Sequence, residues 1–340
     1  MCAAGPGKGV PPAGPCERHP MRLAIISDIH YAGPMERKRR DHLFAPIKSP
    51  LRRWATRQYR RWVWLRDPFA HNHLLDRFLD QTRDADLALA NGDYSCDTAY
   101  IGLCDDAAYE SARECLGKLR AAFGPRLLAT IGDHEIGKKM LAANEGGLRL
   151  ASYRRAVGDL GLAPVWKHVV GKYVLVGVTS TLAAFPLMAG ETLPEERAPW
   201  EEVRGQHRAA LQAIFDGLEP DARLLLFCHD PSALPFLGRE EFVRRRLPQI
   251  ERTIIGHLHS NAVFRQAQRL AGMPVIKFLG HTPARLSAAV REARHWQPFK
   301  PLLCPSPPGM QLLKDGGYYV VTLDPAAREP ARFEFRALPW

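Results

Sequence analysis

Five short segments of the chain carry side chains that bind hard or borderline metal ions. Carboxylates and neutral imidazoles suit divalent manganese, iron and zinc, and no cysteines are placed for a thiolate-rich structural zinc site. The composition of the segments therefore predicts a catalytic metal site. They read Ser27-Asp28-Ile29-His30, Asn91-Gly92-Asp93, Gly132-Asp133-His134-Glu135, Cys228-His229-Asp230 and Gly256-His257-Leu258-His259.

An apolar run precedes each of these segments. Short apolar runs that end at turn residues are typical of buried strands. Open α/β sheets place their ligand sites at the carboxyl ends of strands, so the five strand ends are predicted to share one crevice. The runs are Leu23–Ile26, Leu87–Ala90, Leu127–Ile131, Leu224–Phe227 and Thr253–Ile255.

The spacing within the segments favours more than one ion. Asp28 and His30 are two residues apart, as are His257 and His259, so each pair either binds one ion or divides between two. A shared carboxylate can bridge two ions about 3.5 to 4 Å apart, and Asp93 is the best-placed candidate. A single segment of this kind is weak evidence, because Asp and Gly are ordinary turn residues after a strand. The ordered set of five indicates the metal site.

The order of the motifs resembles that of the calcineurin-like metallophosphoesterase family, from Met21 to about His259. The resemblance implies an α/β fold, a four-layer α/β/β/α sandwich with two mixed sheets, and a two-metal phosphoesterase site. The resemblance implies one ion held by Asp28, His30, Asp93 and His259, and another held by Asp93, Asp133, His229 and His257. His134 belongs to neither set, so the resemblance implies that it acts on the substrate.

The expected activity is hydrolysis of a phosphomonoester, phosphodiester or pyrophosphate by a hydroxide that two metal ions activate. These would be divalent or mixed-valence ions, most simply manganese, iron or zinc. His134 is the candidate for protonating the leaving oxygen, because the carboxylate of Glu135, next to it in sequence, could raise the pKa of its imidazole. Cys96 stands where purple acid phosphatases have tyrosine, which argues against a tyrosinate-bound metal.

One ligand position departs from the family pattern. Asp133 stands where the family usually has asparagine, so a third carboxylate faces the two ions. This makes the site less attractive to a phosphate dianion, although a carboxylate is also a competent ligand for hard metals. The alternative functions are a catalytically impaired metal-binding or anion-binding module, and a lipid-headgroup pyrophosphatase at the membrane surface.

An insertion at about 36–66 is rich in arginine and tryptophan. Trp54, Gln58 and Trp62 recur at helical spacing with arginines between them, which predicts a basic amphipathic helix. Three interpretations stay open. The helix is a cap that clasps an anionic substrate, a surface helix whose tryptophans pack on the body, or an attachment to anionic lipid headgroups.

The chain as a whole has 340 residues and a net charge of +11. Because the ligands are dispersed, 21–340 is predicted to be one domain, while the Gly- and Pro-rich residues 1–20 are predicted to be disordered. Seven irregularly spaced cysteines, without a secretory signal or a membrane-spanning run, predict a cytoplasmic protein, with peripheral attachment to the membrane as the alternative. The basic charge favours an anionic, phosphate-containing substrate. Nucleic acid is a minority interpretation, because the chain lacks its recognition motifs.

The remaining predictions concern local structure. His281 follows a predicted strand and is a further site candidate. The predicted elements are helices at about His71 to Arg83 and Glu201–Phe215, a hairpin at Val165–Val178, and strands at Val275–Leu279, Tyr318–Leu323 and Phe333–Phe335.

Overall fold

The structure of the protein is a computed structural model. It describes residues 20–39, 42, 44–96, 100–140, 145–278 and 281–339, with the side chains of 281 and 282 left out. The predicted disorder of 1–20 falls outside the described residues, apart from Pro20.

Two five-stranded sheets form the centre of the described structure. Their strand orders are β10-β9-β1-β2-β3 and β4-β5-β6-β7-β8. The strands are β1 (Met21–Ile26), β2 (Leu87–Ala90), β3 (Leu127–Ala129), β4 (Val165–Val170), β5 (Tyr173–Val178), β6 (Arg223–Cys228), β7 (Ile250–Ile255), β8 (Pro301–Leu303), β9 (Gly317–Leu323) and β10 (Arg332–Ala337).

Both sheets are mixed. In the first, β1, β2 and β3 are parallel, whereas β9 runs antiparallel to β1 and β10 antiparallel to β9. In the second, β5 to β8 are parallel and β4 pairs antiparallel with β5. The parallel strands carry all five ligand-bearing segments at their carboxyl ends.

The inner faces of the two sheets share one buried layer. Leu23 and Ile25 of β1 belong to the same apolar cluster as Leu225 and Phe227 of β6, and all four are fully buried. Burying each side chain of this size contributes about 1.5 to 3 kcal/mol, before conformational entropy is subtracted. This layer holds the carboxyl ends of the two sheets side by side.

Helices cover the outer faces. The alternate residues of β1, such as Ala24 and Ile26, pack with helical residues such as Phe78, and those of β6 pack on the other side with Phe215. The predicted four-layer α/β/β/α sandwich is therefore confirmed. The helices are α1 (Pro34–Arg37), α2 (Pro50–Trp62), α3 (Asn72–Gln81), α4 (Asp106–Phe123), α5 (Asp133–Ile136), α6 (Leu150–Arg154), α7 (Ser180–Ala183), α8 (Phe185–Met188), α9 (Arg197–Asp216), α10 (Leu234–Leu237), α11 (Glu241–Arg244), α12 (Asn261–Arg269) and α13 (His281–Glu292).

Most of the predicted local elements are confirmed. The hairpin is β4 and β5, the two predicted helices are α3 and α9, and the last two predicted strands are β9 and β10. The strand predicted at Val275–Leu279 is wrong, because 275–278 form no strand and Leu279 lies outside the described residues. His281 therefore follows no strand and instead begins α13. None of the helices that the structure describes combines the length and apolar character that a bilayer crossing requires.

Candidate metal centre

Backbone hydrogen bonds hold the ligand-bearing loops together. In the first sheet, the N–H of Asp28 donates to Gly92 O at 3.1 Å, and that of His30 donates to Asp93 O at 3.0 Å. In the second sheet, the N–H of Gly256 donates to His229 O at 2.9 Å. Neighbouring loops therefore lie side by side beyond the ends of their parallel strands. This arrangement agrees with the single crevice expected from the sequence.

Five of the seven predicted ligands have a left-handed backbone conformation. Such a conformation is uncommon for residues other than glycine and costs on the order of 1 kcal/mol or more at each position. These conformations turn the chain back after β1, β2 and β7, so that nearby side chains point to one centre. The φ angles are 52° at Asp28, 50° at His30, 57° at Asp93, 63° at His257 and 58° at His259.

Two glycines allow the strand ends to approach closely. A Cβ atom at Gly132 would lie 2.3 Å from Asp93 Oδ1, and one at Gly256 would lie 2.4 Å from Asp28 Oδ2. Any larger residue would displace a carboxylate of the centre. This close approach explains why glycine precedes Asp133 and His257.

We call one group of ligands the Asp133 cluster; it comprises Asp93, Asp133, His229 and His257. Asp133 Oδ1 lies 3.1 Å from His229 Nε2 and 3.0 Å from His257 Nδ1. His229 Nε2 is also 3.1 Å from Asp93 Oδ2. Two carboxylates and two imidazoles thus converge on one point.

We call the other group the Asp28 cluster; it comprises Asp28, His30 and His259. The Nε2 atoms of His30 and His259 face each other at 3.1 Å, and His259 Nε2 lies 3.5 Å from Asp28 Oδ1. Asp93 lies between the two groups, since its Oδ2 atom is 3.9 Å from His30 Nε2. The structure therefore brings together all seven predicted ligands, in two groups that meet at Asp93.

Hydrogen bonds to backbone carbonyls orient three imidazoles. The Nδ1 atoms of His30, His134 and His229 lie 3.2, 3.0 and 2.6 Å from the carbonyl oxygens of Ser95, Cys96 and Asn91. A carbonyl only accepts, so each Nδ1 carries the proton and each Nε2 presents its lone pair to the centre. Second contacts of this kind are the usual support for histidine ligands of metals.

The donor set fits two cations. Asp93 Oδ2 is fully buried and accepts no well-aligned hydrogen bond among the described residues, although it lies near His229. Burial raises the pKa of Asp28 to about 6, even though His229 opposes the shift. A nearby cation favours the ionised carboxylate and compensates its burial. The mixture of carboxylate oxygens and imidazole nitrogens is the set that manganese, iron and zinc accept.

Lys138 balances the negative charge of Asp133. Its Nζ atom lies 2.9 Å from Asp133 Oδ2, on the far side of the carboxylate from His257 and His229. Burial alone would raise the pKa of Asp133, but Lys138 and His257 hold it well below its usual range. The added negative charge is therefore accompanied by an added positive one, which the sequence interpretation missed.

His134 is fully buried beside Asp93. Its Nε2 atom lies 3.7 Å from Asp93 Oδ2, and its ring meets the ring of His30 edge-on at 4.7 Å between centroids. The sequence-based expectation named Glu135 as the neighbouring carboxylate. Glu135 accepts hydrogen bonds from the backbone N–H groups of Gly132, Asp93 and Tyr94, which fixes the loops.

The insertion reaches the centre at its carboxyl end. The Trp64 ring lies over the His259 ring at 4.9 Å between centroids, and Tyr59 of α2 stacks on Trp64 at 6.3 Å. Gln311 N donates to Trp64 O at 2.6 Å, which anchors this end. Trp64 therefore covers His259 of the Asp28 cluster. No spacing rule in the sequence indicates this contact.

The tryptophans of α2 itself do not pack on the body. Trp54 is 60% exposed and Trp62 is 61% exposed, and every residue of α2 is at least partly exposed. Of the three interpretations of the insertion, the surface helix with packed tryptophans is therefore wrong. The helix itself was predicted correctly from the four-residue spacing.

Among solved structures, the chain is similar to a dimetal phosphatase from Danio rerio. The two are 13% identical over 94% of this chain and 97% of that one, with a TM-score of 0.48. A purple acid phosphatase from yellow lupin, Lupinus luteus, is 12% identical over 71% of this chain but only 38% of its own, with a TM-score of 0.35.

A third similar structure is phosphopantetheinyl hydrolase from Mycobacterium tuberculosis. It is 14% identical over 71% of this chain and 84% of its own, with a TM-score of 0.32. No protein-family model matches the chain, and no curated protein matches it.

Proposed function

We propose that this chain is a metal-dependent phosphoesterase of the calcineurin-like family. The single observation that carries the proposal is the pair of ligand clusters that meet at Asp93, at the joined carboxyl ends of two sheets. A centre with this donor set suits two ions that share a carboxylate. The fold and the ligand order both agree with the resemblance in the sequence.

The Asp28 cluster and the Asp133 cluster would each hold one ion, with Asp93 shared. When bound, two such ions lower the pKa of water and neutralise the charge that develops on a phosphoryl group during in-line attack. The chain supplies the orientation, because the imidazole protons of His30 and His229 are fixed on Nδ1 by backbone carbonyls. It also excludes water from one side, where Trp64 covers His259.

His134 is proposed to supply a proton to the leaving oxygen. Its Nδ1 proton is committed to Cys96 O, so the exchangeable position is Nε2, the atom that faces Asp93. A charged imidazole beside this carboxylate would be stabilised by it. The substrate side of the proposal covers phosphomonoesters, phosphodiesters and pyrophosphates, since each presents the same group to the centre.

The alternative of a catalytically impaired module is less well supported. Its motive was the third carboxylate, Asp133, and the contact of that carboxylate with Lys138 removes most of the excess negative charge. The aspartate is also a competent ligand for a hard metal.

Elemental analysis coupled to turnover tests the proposed function. The purified chain is loaded with manganese and assayed on para-nitrophenyl phosphate and on its bis-ester. Two equivalents of metal with turnover of either ester would support the proposal. Two equivalents without turnover of any phosphate ester would favour the impaired module, and no binding after loading with manganese, iron or zinc would refute the metal centre.

We also propose that α2 attaches the protein to anionic lipid surfaces. Leu51, Trp54 and Trp62 lie on one face of the helix and are all more than half exposed. Arginines occupy much of the remaining surface of the helix. Apolar and aromatic residues on one side of a basic helix suit the headgroup boundary of a bilayer. Leu312, whose N–H donates to Val63 O, extends the exposed apolar surface beyond the end of α2.

Sedimentation with lipid vesicles tests this attachment. We expect binding to phosphatidylcholine vesicles that contain phosphatidylserine, and about tenfold weaker binding after Trp54→Ala with Trp62→Ala. Phe278→Ala is a matched control, because this aromatic side chain is 86% exposed outside the insertion. Equal loss in both variants, or binding that is insensitive to phosphatidylserine, would refute the role of α2.

The protein is further proposed to work in a reducing compartment such as the cytoplasm. Cys104, Cys115, Cys228 and Cys304 form no disulfide within the described residues, and the last three are buried. Buried thiols of this kind behave as small apolar residues.

A further inference from the structure

A mostly apolar pocket of about 90 Å³ opens beside the Asp133 cluster. Asp133 and His257 are among its lining residues, so the pocket borders the metal centre. Leu187, Leu286 and Val290 also line it. Any phosphoryl group held at the Asp133 cluster would therefore have this apolar space within reach.

The charges that line the pocket already have partners. Arg285 lies 2.8 Å from Glu191, which is fully buried, and Lys138 lies 2.9 Å from Asp133. Neither cation is left to attract a second anionic group. The pocket therefore suits a neutral group better than a second phosphate.

Two buried polar atoms of the lining have no hydrogen-bond partner within the described residues. They are Trp296 Nε1 and Ser232 Oγ, and both residues are more than nine-tenths buried. Native structures leave few buried polar atoms unsatisfied, so such atoms in a pocket lining point to a ligand.

We infer that this pocket binds the organic group of the substrate, and that the preferred substrate is a phosphate ester with a compact, neutral, mainly apolar alcohol. This inference rests on the proposed function and names its substrate class. The phosphoryl group would lie at the metal centre, and the carbon chain or ring of the alcohol would lie against α13 and α8. Burial of each added methylene would raise kcat/KM about three- to fourfold until the pocket is full.

A series of alkyl phosphates tests the inference on the manganese-loaded protein. We expect kcat/KM for propyl phosphate to exceed that for methyl phosphate by about tenfold. Glycerol 1-phosphate has the same number of carbons and serves as the polar control; it should be no better than methyl phosphate. A flat series, with all three esters hydrolysed alike, would overturn the pocket and leave the phosphoesterase proposal intact.

A pair of variants on α13 locates the effect. Ala289 lines the pocket, whereas Ala288 beside it does not and is similarly half-buried. We expect Ala289→Leu to remove most of the preference for propyl over methyl phosphate, and Ala288→Leu to retain it. Both variants should melt within a few degrees of the parent. Loss of the preference in both variants, or in neither, would overturn the assignment.

Binding of phosphonates separates this inference from the proposed function. Propylphosphonate and methylphosphonate lack a hydrolysable ester, and calorimetry measures their affinity for the metal-loaded protein without turnover. We expect propylphosphonate to bind about tenfold more tightly, and Ala289→Leu to abolish the difference. If no ester is hydrolysed but this preference is found, the phosphoesterase proposal fails and the pocket stands. Equal affinity for the two phosphonates would overturn the pocket.

Discussion

The two ligand clusters differ in charge and in access. The Asp28 cluster has a single carboxylate with two imidazoles, and Trp64 covers it. The Asp133 cluster has two carboxylates, contacts Lys138 and borders the apolar pocket, and the side chain of its ligand His257 is 26% exposed. One half of the centre is closed and the other is open.

The difference shows where extra charge is tolerated. A charge buried without a partner is costly, so the closed half carries few charged groups. The open half adds an acid and a base together, Asp133 with Lys138, and so changes the ligand chemistry with little change in total charge. Substrate is expected to enter from the open half.

The largest expected effect comes from the carboxylate that joins the two halves. Asp93→Asn keeps the acceptor for the backbone N–H of His134 but removes the shared charge. We expect bound metal to fall below two equivalents and turnover to fall about 10³-fold. Metal analysis with the ester assay measures both. The exposed Asp106→Asn serves as control, and two equivalents retained in Asp93→Asn would show that the clusters do not share this ligand.

The second effect separates a proton donor from a ligand. His134 lies near both His30 and Asp93, so its position alone is compatible with metal binding. If it acts on substrate, His134→Ala should retain two equivalents of metal while turnover falls about 10²-fold. Metal content and kcat are measured on the same sample. Loss of one equivalent would instead make His134 a ligand, and unchanged kcat would remove it from the reaction.

The third effect sharpens the charge difference between the halves. Asp133→Asn leaves Lys138 beside the metal centre without its carboxylate, so we expect manganese affinity to fall about tenfold. Adding Lys138→Met should restore affinity to within about threefold of the parent, because the two residues act as a pair. Calorimetric titration of manganese into the parent, both single variants and the double variant completes the cycle. Strictly additive effects would contradict the pairing.

The smallest effect separates the pH dependence of the fold from that of the two clusters. His207 of α9 is buried, and its Nε2 atom accepts a hydrogen bond from the N–H of Thr179 at 3.2 Å. Burial lowers the pKa of His207 to about 4. The unfolded chain therefore binds a proton more readily, and the stability that the neutral imidazole supports is lost as pH falls from about 6.5 toward 4.

This shift corresponds to a loss of about 1 kcal/mol in the free energy of unfolding between pH 7 and pH 5.5. Denaturant unfolding of the metal-free protein at the two pH values measures it. His207→Gln keeps an acceptor for Thr179 and should show a smaller difference between the two pH values. Equal differences in the parent and the variant would remove His207 as the cause. Any activity that His207→Gln still loses over the same pH range then reflects protonation of the ligand histidines.

Much of the site could be predicted from sequence because its ligands sit at strand ends. Asp28, Asp93 and His229 each follow an apolar run by two or three residues, and such a run is a local feature of the sequence. The strand predicted at Val275–Leu279 is wrong because that prediction also used only a local apolar run. An apolar run alone does not show whether a neighbouring strand is available to pair with it.

The sequence by itself determined the types and order of the ligands, the strands that present them and the helical character of the insertion. Only the tertiary structure decided which side chains meet. The contacts of Lys138 with Asp133, of Trp64 with His259 and of Glu135 with the Asp93 loop depend on the path of the backbone in three dimensions. Periodicity reports which face of an element is buried, whereas the partner across that face is fixed only when the two sheets pack together.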